Sequence, residues 1–285
     1  MKNSLSNLLM LALLVFLAEP AQASVSCSVT SANITSGYMT TSGNTFTQES
    51  FTVNCNRSTF LDGNVTYSVQ VDNGLYASGG SNQASNGSNK INYDFYTTSA
   101  CSTQWQGVTN QAVTFSGRGT SASATGTFWA CVPGNQIPSP AAGNYLDSVS
   151  MTLTYINKPV HGGTNTSIAP AVIVPVSVTV PPICSITNAP GNVVFGYTAF
   201  SATVVSASTT FGLTCSNTLG YSMSVSPATG VAAGINYTLS LSPSIKSTGL
   251  LQTYTITGSA PAGQAGTCTT GTCSASQLTT LTITY

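Results

Sequence analysis

The chain has 285 residues, of which only 4% are charged, and its six basic and six acidic side chains balance to a net charge of zero. Ordinary globular proteins carry about 25% charged residues. This neutrality argues against nucleic acid as a partner, because nucleic-acid binding needs a basic surface, and equally against electrostatic docking to anionic lipid. With 41% hydrophobic residues, the chain can still form a core.

The first 23 residues, 1–23, have the pattern of a signal peptide. Lys2 supplies the positive charge, Leu8 to Ala18 form a short apolar region, and Ala21-Gln22-Ala23 is a small-x-small cleavage site. We therefore expect an exported mature chain that begins at Ser24. Its nearly uncharged surface is poorly protected against association, which favours a protein that works inside an assembly.

The mature chain contains two sets of four cysteines. They are Cys27, Cys55, Cys101 and Cys131 in the first set and Cys184, Cys215, Cys268 and Cys273 in the second. An even number of cysteines in an exported chain predicts disulfides. A zinc site is the alternative, but C-x2-C pairs with histidines are missing and the sole histidine, His161, lies in a different segment. Spacing alone leaves the pairing open, since each set permits three connectivities.

The two cysteine sets mark an internal repeat. Cys27-Ser28-Val29-Thr30 is echoed by Cys184-Ser185-Ile186-Thr187, and Gly37-Tyr38 is echoed by Gly196-Tyr197. Each copy ends in a segment that alternates apolar and polar residues and finishes in tyrosine. Alternation of this kind recurs along the chain between Ser-, Thr-, Asn- and Gly-rich turns, and this predicts an all-β protein of two tandem β-sandwich domains.

The segment between the two copies, residues 156–183, divides into two parts. The stretch from Asn157 to Thr164 is typical of a flexible loop. Five valines then follow at two-residue spacing, which places them on one side of an extended strand: Val172, Val174, Val176, Val178 and Val180. Pro175 cannot donate a ladder hydrogen bond, so we expect this strand at a sheet edge.

Three stretches resemble the spore coat protein U domain family, whose members are subunits of archaic, Csu-type chaperone–usher pili. They are Cys27-Ser28-Val29, the central residues 91–97 followed by Trp105-Gln106-Gly107, and the closing residues 143–149. The resemblance is good from Cys27 to Tyr155. It is weaker from Cys184 to Tyr285, where the central Tyr and Trp-Gly stretch is missing.

The resemblance implies immunoglobulin-like domains that are completed by a donated strand. The family's ordinary pilins have one domain, and a two-domain chain resembles the tip adhesin. We therefore expect an N-terminal adhesin domain at 24–158, a loop and a strand that completes this domain in cis at 159–183, and an incomplete pilin domain at 184–285. Grouping and resemblance together give the disulfides Cys27–Cys55, Cys101–Cys131, Cys184–Cys215 and Cys268–Cys273.

The implied partners are a periplasmic pilus chaperone, an outer-membrane usher, a one-domain pilin that donates a strand, and an abiotic or host surface. Only Ser24, Val25 and Ser26 precede Cys27 in the mature chain, which is too short for a donor strand. A subunit that receives a strand and donates none occupies one end of a fibre, so we expect the chain at the pilus tip on the cell surface. The edge of the acceptor groove is predicted at Leu281, Ile283 and Tyr285.

The sequence gives no support for catalysis, a cofactor or a metal site. From residue 184 to 285 it has no Asp, Glu or His, and in the first copy the acidic residues are scattered. Gly117-Arg118-Gly119-Thr120-Ser121-Ala122 matches G-x-G-x-x-A, but no helix pattern follows it. We expect a protein that is not an enzyme.

Binding is therefore expected from apolar residues in surface loops of the first domain. The candidates are Leu75, Tyr76, Trp105, Val108, Val132 and Ile137. Exposed apolar loop tips on a rigid sandwich suit attachment to surfaces and biofilm formation. For Leu75, Tyr76 and Trp105 the alternative is that they turn into the core. At the level of function, the alternative is a coat or shaft subunit without a ligand.

Overall fold

The computed structural model describes residues 24–39, 43–60, 62–159, 163–244, 246–269 and 271–285. The predicted signal peptide at 1–23 and His161 lie outside these residues. The described chain contains eighteen strands and no helix, which confirms the all-β prediction, and accordingly it contains no helix that could cross a membrane.

The strands are β1 Val25–Ser31, β2 Ile34–Gly37, β3 Thr45–Arg57, β4 Asp62–Val71, β5 Asn82–Asn86, β6 Asn89–Tyr96, β7 Gly107–Val113, β8 Ser121–Val132, β9 Gly143–Pro159, β10 Asn165–Ile168, β11 Val172–Val180, β12 Cys184–Asn188, β13 Val205–Cys215, β14 Ser222–Ser226, β15 Thr229–Ala232, β16 Ile235–Leu241, β17 Gln252–Ala260 and β18 Thr280–Thr284. Their side chains alternate as a half-buried strand requires. In β3, for example, Phe51, Val53 and Cys55 are buried while the intervening residues face outward.

Two layers of strands enclose the first core, as in an immunoglobulin-like sandwich. One layer contains β1, β3, β8 and β6 in that order, and the other contains β5, β9, β11 and β2, with β4, β7 and β10 alongside. The β5–β6 hairpin joins the two layers. Among the described residues, thirty buried apolar side chains form this core, centred on Trp105, whose ring stacks on Phe128 at 4.4 Å between centroids.

The valine-spaced segment forms β11 and belongs to the first core. It pairs antiparallel with β9 over its whole length and parallel with β2 from Val176 to Thr179. Val174, Val176 and Val178 are at most 2% exposed. The edge position predicted from Pro175 holds only for the first half of the strand, because β2 reaches β11 one residue after the proline.

The loop predicted from Asn157 to Thr164 is shorter in the structure. Asn157 to Pro159 are the last residues of β9, where they pair with β4. Asn157 also pairs with Asn165 of β10. Turn-forming residues therefore continue a strand here, because β9 has neighbours on both edges.

The four disulfides join the pairs predicted from the grouping and the resemblance. Cys27–Cys55 and Cys184–Cys215 link equivalent strand pairs, β1 to β3 and β12 to β13. Cys101–Cys131 ties the loop after β6 to β8, and Cys268–Cys273 closes a loop before β18. The repeat seen in the sequence is thus also a repeat of the disulfide framework.

The second set of strands is smaller. Its larger sheet has the order β12, β13, β17, β16 and β15, and its second layer contains only β14 and β18. Just five described apolar residues are buried in its core: Phe211, Leu213, Cys215, Tyr254 and Ile256.

The two cores share no described residue, and we infer two domains that meet at residues 181–183. The loop between β8 and β9 also reaches the second domain. Ser139 N–H donates to Gly249 O at 2.7 Å, and Asn217 N–H donates to Pro140 O at 3.2 Å. Gly249 has a φ of +73°, and a Cβ there would lie 2.5 Å from the Ser139 carbonyl oxygen, so this contact requires glycine.

We predict that the first domain depends on β11. A fragment of residues 24–182 should unfold in one cooperative transition, whereas a fragment of 24–158 should lose on the order of 6 kcal/mol from the four buried valines alone, counted at the low end for each side chain. Small domains have only about 5–15 kcal/mol of stability, so the shorter fragment should be largely unfolded. Urea denaturation of the two fragments measures the difference, and equal midpoints would show that β11 is only a linker.

Candidate functional site

The second domain contains a strand with an unpaired edge. Of the described strands, only β14 pairs with β18, bringing Met223 opposite Ile283 and Val225 opposite Leu281. In the first domain the equivalent strand, β9, has β4 on one side and β10 followed by β11 on the other. The second domain therefore lacks a counterpart of β11 at this edge among its described residues.

The repeated Gly-Tyr pairs make segment 192–197 the counterpart of β2, which pairs with β11 in the first domain, and we infer that it is the opposite wall of this gap. Its side chains alternate between half-buried and exposed as in a strand, with Val193 and Phe195 turned inward, but it belongs to no sheet. A Cβ at Gly258 of β17 would meet the Phe195 ring, so this glycine lets the aromatic side chain lie flat on the sheet. Segment 192–197 and β18 are the two walls of what we call the open groove.

The floor of the open groove is apolar and incompletely covered. Side chains that correspond to buried core positions are only half-buried here: Val193, Leu219, Tyr221, Met223, Val225, Leu239, Leu241, Leu281 and Ile283. The two predicted edge residues Leu281 and Ile283 face this core, whereas Tyr285 follows β18 and is 56% exposed. Such a groove offers unpaired backbone groups and apolar surface, which together suit one added strand.

A hydrogen-bonded cluster holds one end of the groove wall. Tyr197 Oη donates to Pro261 O at 2.9 Å and accepts from Gln264 N–H at 3.0 Å. The Gln264 side chain binds the backbone of β16: its Oε1 accepts from Asn236 N–H at 2.7 Å and its Nε2 donates to Asn236 O at 3.1 Å. We call Tyr197, Asn236, Pro261 and Gln264 the Tyr–Gln clamp.

The first domain has the same clamp. Gln136 N–H donates to Tyr38 Oη at 3.1 Å, Gln136 Nε2 donates to Asn92 O at 3.0 Å and Pro133 O at 3.1 Å, and Asn92 N–H donates to Gln136 Oε1 at 2.9 Å. Tyr38 and Tyr197 are the tyrosines of the repeated Gly-Tyr pairs. The clamp residues are not among the predicted sites, although each copy carries Pro-x-x-Gln after a strand, at Pro133 and Pro261.

Two predicted adhesive residues are exposed on the first domain. Leu75 is 70% exposed and Tyr76 is 40% exposed, in the loop between β4 and β5. Asp147 holds this loop through its Oδ1, which accepts from Leu75 N–H at 3.0 Å. Lys90 Nζ lies 3.5 Å from the centroid of the Tyr76 ring. The pair therefore forms a fixed apolar projection.

Two other residues that were predicted to be adhesive are buried, so the prediction is wrong for them. Trp105 is 5% exposed and Val132 is 1% exposed, and both belong to the first core. Trp105 turns inward because Phe128 and Phe95 receive its ring, and Val132 is the last residue of the central strand β8. Val108 is half-buried against the same core.

Ile137 is exposed as predicted, at 84%, but it lies at the domain junction. It lines a cavity of about 670 Å³ together with Leu250 and Leu251 of the second domain. The opposite end of the first domain carries Phe60, which is 53% exposed and which the sequence analysis did not single out. β9 begins at the junction and ends opposite Asp62, so Phe60 lies about 50 Å from the junction at the rise of an extended strand.

The acidic residues of the first domain bind backbone and side-chain donors. Asp72 Oδ1 accepts from Gly74 N–H at 3.0 Å and Ser150 N–H at 2.8 Å, and Asp147 Oδ2 accepts from Tyr93 Oη at 2.7 Å. Burial and the neighbouring Asp147 raise the pKa of Tyr93 far above its ordinary value. Burial also raises the pKa of Asp94. No group of three or more His, Cys, Asp or Glu in the described chain is placed to hold a metal ion.

Comparison with solved structures finds similarity to pilus proteins. The chain is similar to the CsuC–CsuE chaperone–tip adhesion subunit pre-assembly complex of archaic chaperone–usher Csu pili from Acinetobacter baumannii, with 14% identity and a TM-score of 0.44 over 91% of this chain and 100% of that one. It is similar to the CupB6 tip adhesin from Pseudomonas aeruginosa, with 11% identity and a TM-score of 0.37 over 90% and 93% of the two chains. No curated protein matches the sequence significantly.

The family comparison covers the first domain. Residues 12–152 match the family model of the Spore Coat Protein U domain. This range includes the strands from β1 to the first part of β9 and two of the four disulfides. The first domain is therefore similar to the Spore Coat Protein U domain family over these residues.

Proposed function

We propose that the chain is the tip subunit of an archaic chaperone–usher pilus, exported through the periplasm and displayed at the cell surface. The observation that carries this proposal is the contrast between β9, which is paired on both edges, and β18, which is paired on one. The open groove takes a donated strand and joins the second domain to the fibre. The first domain performs attachment.

The open groove accounts for the partners. Its half-buried apolar floor and unpaired strand edge would promote aggregation of a nearly uncharged protein. A periplasmic chaperone that supplies a strand covers this surface, and at the outer-membrane usher a one-domain pilin replaces it. The family match and the resemblance seen in the sequence favour these partners.

The position of β11 supports the tip location. In a shaft subunit, the donor segment that precedes a domain must reach another molecule. Here the strand before the second domain lies between β9 and β2 of its own first domain. The chain thus accepts one strand through the second domain and uses its own candidate donor internally, so it terminates a fibre.

Attachment is assigned to exposed apolar residues away from the fibre. Phe60 lies at the end opposite the junction, and Leu75 and Tyr76 project from the side. Each such contact would gain about 25 cal/mol per Å² of apolar area removed from water, so several contacts could sum to useful adhesion to an abiotic or host surface and support biofilm formation. Ile137 lies beside the second domain and is not assigned to the attaching end.

The first test changes the groove edge. Leu281→Asp should reduce incorporation into fibres by at least about tenfold, because an incoming strand would bury an unpaired carboxylate. Thr282→Asp is the matched control, since it adds the same charge on the outward face of β18. Immunogold labelling of fibres measures incorporation.

The same labelling separates tip from shaft. The proposal requires one labelled position per fibre, at its end. The fraction of labelled fibres should be the same for Thr282→Asp as for the wild type. Label along the whole fibre would instead identify a coat or shaft subunit. Equal incorporation of the two aspartate variants would show that β18 is not the joining edge.

The second test concerns attachment. Leu75→Ser with Tyr76→Ser, and separately Phe60→Ser, should each lower adhesion of piliated cells to a hydrophobic surface severalfold, because each removes an exposed apolar contact. Ile137→Ser is the control and should leave adhesion unchanged. Fibre number is counted in every strain. Normal adhesion in a strain that combines Phe60→Ser, Leu75→Ser and Tyr76→Ser would contradict the assignment of these residues to attachment.

A further inference from the structure

The two copies of the Tyr–Gln clamp differ in what lies next to them. In the first domain, Tyr38 N–H donates to Thr179 O of β11 at 3.0 Å, so the clamp tyrosine also binds the strand that fills the groove. β11 in turn holds β2 by parallel pairing from Val176 to Thr179. The wall of the filled groove is therefore fixed both by the clamp and by the strand.

In the second domain, only the clamp and side-chain packing remain. Segment 192–197 has no strand partner, and yet Tyr197 Oη accepts from Gln264 N–H as Tyr38 Oη accepts from Gln136 N–H. Phe195 adds packing against Tyr237, with ring centroids 5.8 Å apart. The wall therefore has the arrangement of a filled groove although no strand occupies it.

We propose that the Tyr–Gln clamp preorganises the open groove, and that the backbone N–H of Tyr197 donates to a carbonyl of the incoming strand, as Tyr38 does to Thr179. This inference rests on the proposed function of the open groove. The side chains of Gln264, Tyr197 and Asn236 are positioning groups, because they hold the wall in place and are not part of the groove floor.

Preorganisation has a kinetic signature. If the wall is ordered in only some of the molecules, the association rate of the incoming strand is proportional to the fraction in which it is ordered, which is the competent fraction. Loss of the Gln264 side-chain bonds should lower the competent fraction, and with it the association rate, by about tenfold or more. The dissociation rate should stay the same, because strand pairing holds the wall in the complex.

The experiment measures binding of a synthetic peptide of residues 172–180 to the full mature chain by stopped-flow fluorescence. This peptide is the strand that fills the homologous groove in the first domain. Gln264→Leu removes the side-chain bonds with little change in volume. Gln136→Leu is the matched control, because it opens the same clamp in a domain whose groove is already occupied. Tyr197→Phe is a second groove variant that loses only one hydroxyl.

The clamp predicts slower association for Gln264→Leu and Tyr197→Phe, with unchanged dissociation, and wild-type association for Gln136→Leu. Equal association rates for the wild type and both groove variants would overturn the clamp's role and leave the proposed function intact. Faster dissociation with unchanged association would also overturn it, since that is the effect of a contact made only in the complex. Absence of peptide binding to the wild-type chain would overturn the proposed function, and the clamp's role with it.

Discussion

The structure depends on one constraint, which is that a strand in the middle of a β-sandwich must have hydrogen-bond partners on both edges. The first domain meets this requirement within the chain, since β11 covers the edge of β9 and fills the first core with valine side chains. The second domain does not meet it in the described residues. The difference between the two cores, thirty buried apolar residues against five, follows from this one missing strand and from the smaller second layer.

The same constraint links stability to assembly. A domain with an open groove gains its missing hydrogen bonds and apolar contacts only from another chain, so its folding and its binding are one process. Within the second domain itself, the disulfide joins β12 to β13 and the Tyr–Gln clamp joins segment 192–197 to β16. The junction through Ser139 and Gly249 connects the second domain to a first domain whose groove is filled by β11.

Much of this architecture could be predicted from the sequence. The two-residue spacing of the valines identified β11 and its buried face, because alternation determines which side of a strand faces a core. The echoed Cys-Ser and Gly-Tyr pairs identified the repeat. The disulfide pairs required the family resemblance in addition, because four cysteines in a set can pair in three ways.

Other features could not be predicted because they depend on contacts between distant segments. Trp105 was a plausible surface residue until the structure placed its ring on Phe128, and Ile137 gave no sign of lying beside Leu250 and Leu251. The clamp joins Tyr38 to Gln136 across 98 positions, and although both copies repeat the Gly-Tyr and Pro-x-x-Gln motifs, neither motif indicates that its side chain meets the other. Phe60 was missed because a single aromatic residue in a turn gives no periodic signal.

Amide hydrogen exchange resolved by residue tests the central claim most directly. In the free full-length mature chain, the amides of β9 at residues 154–157, which have β4 on one edge and β10 on the other, should all be protected. In β18, residues 280–284, only every second amide should be protected, because alternate amides of a strand point to opposite edges and only β14 is present. Addition of a donor strand or of the chaperone should protect the remaining amides. Uniform protection of β18 in the free chain would contradict the account, because it would mean that the second domain is already complete.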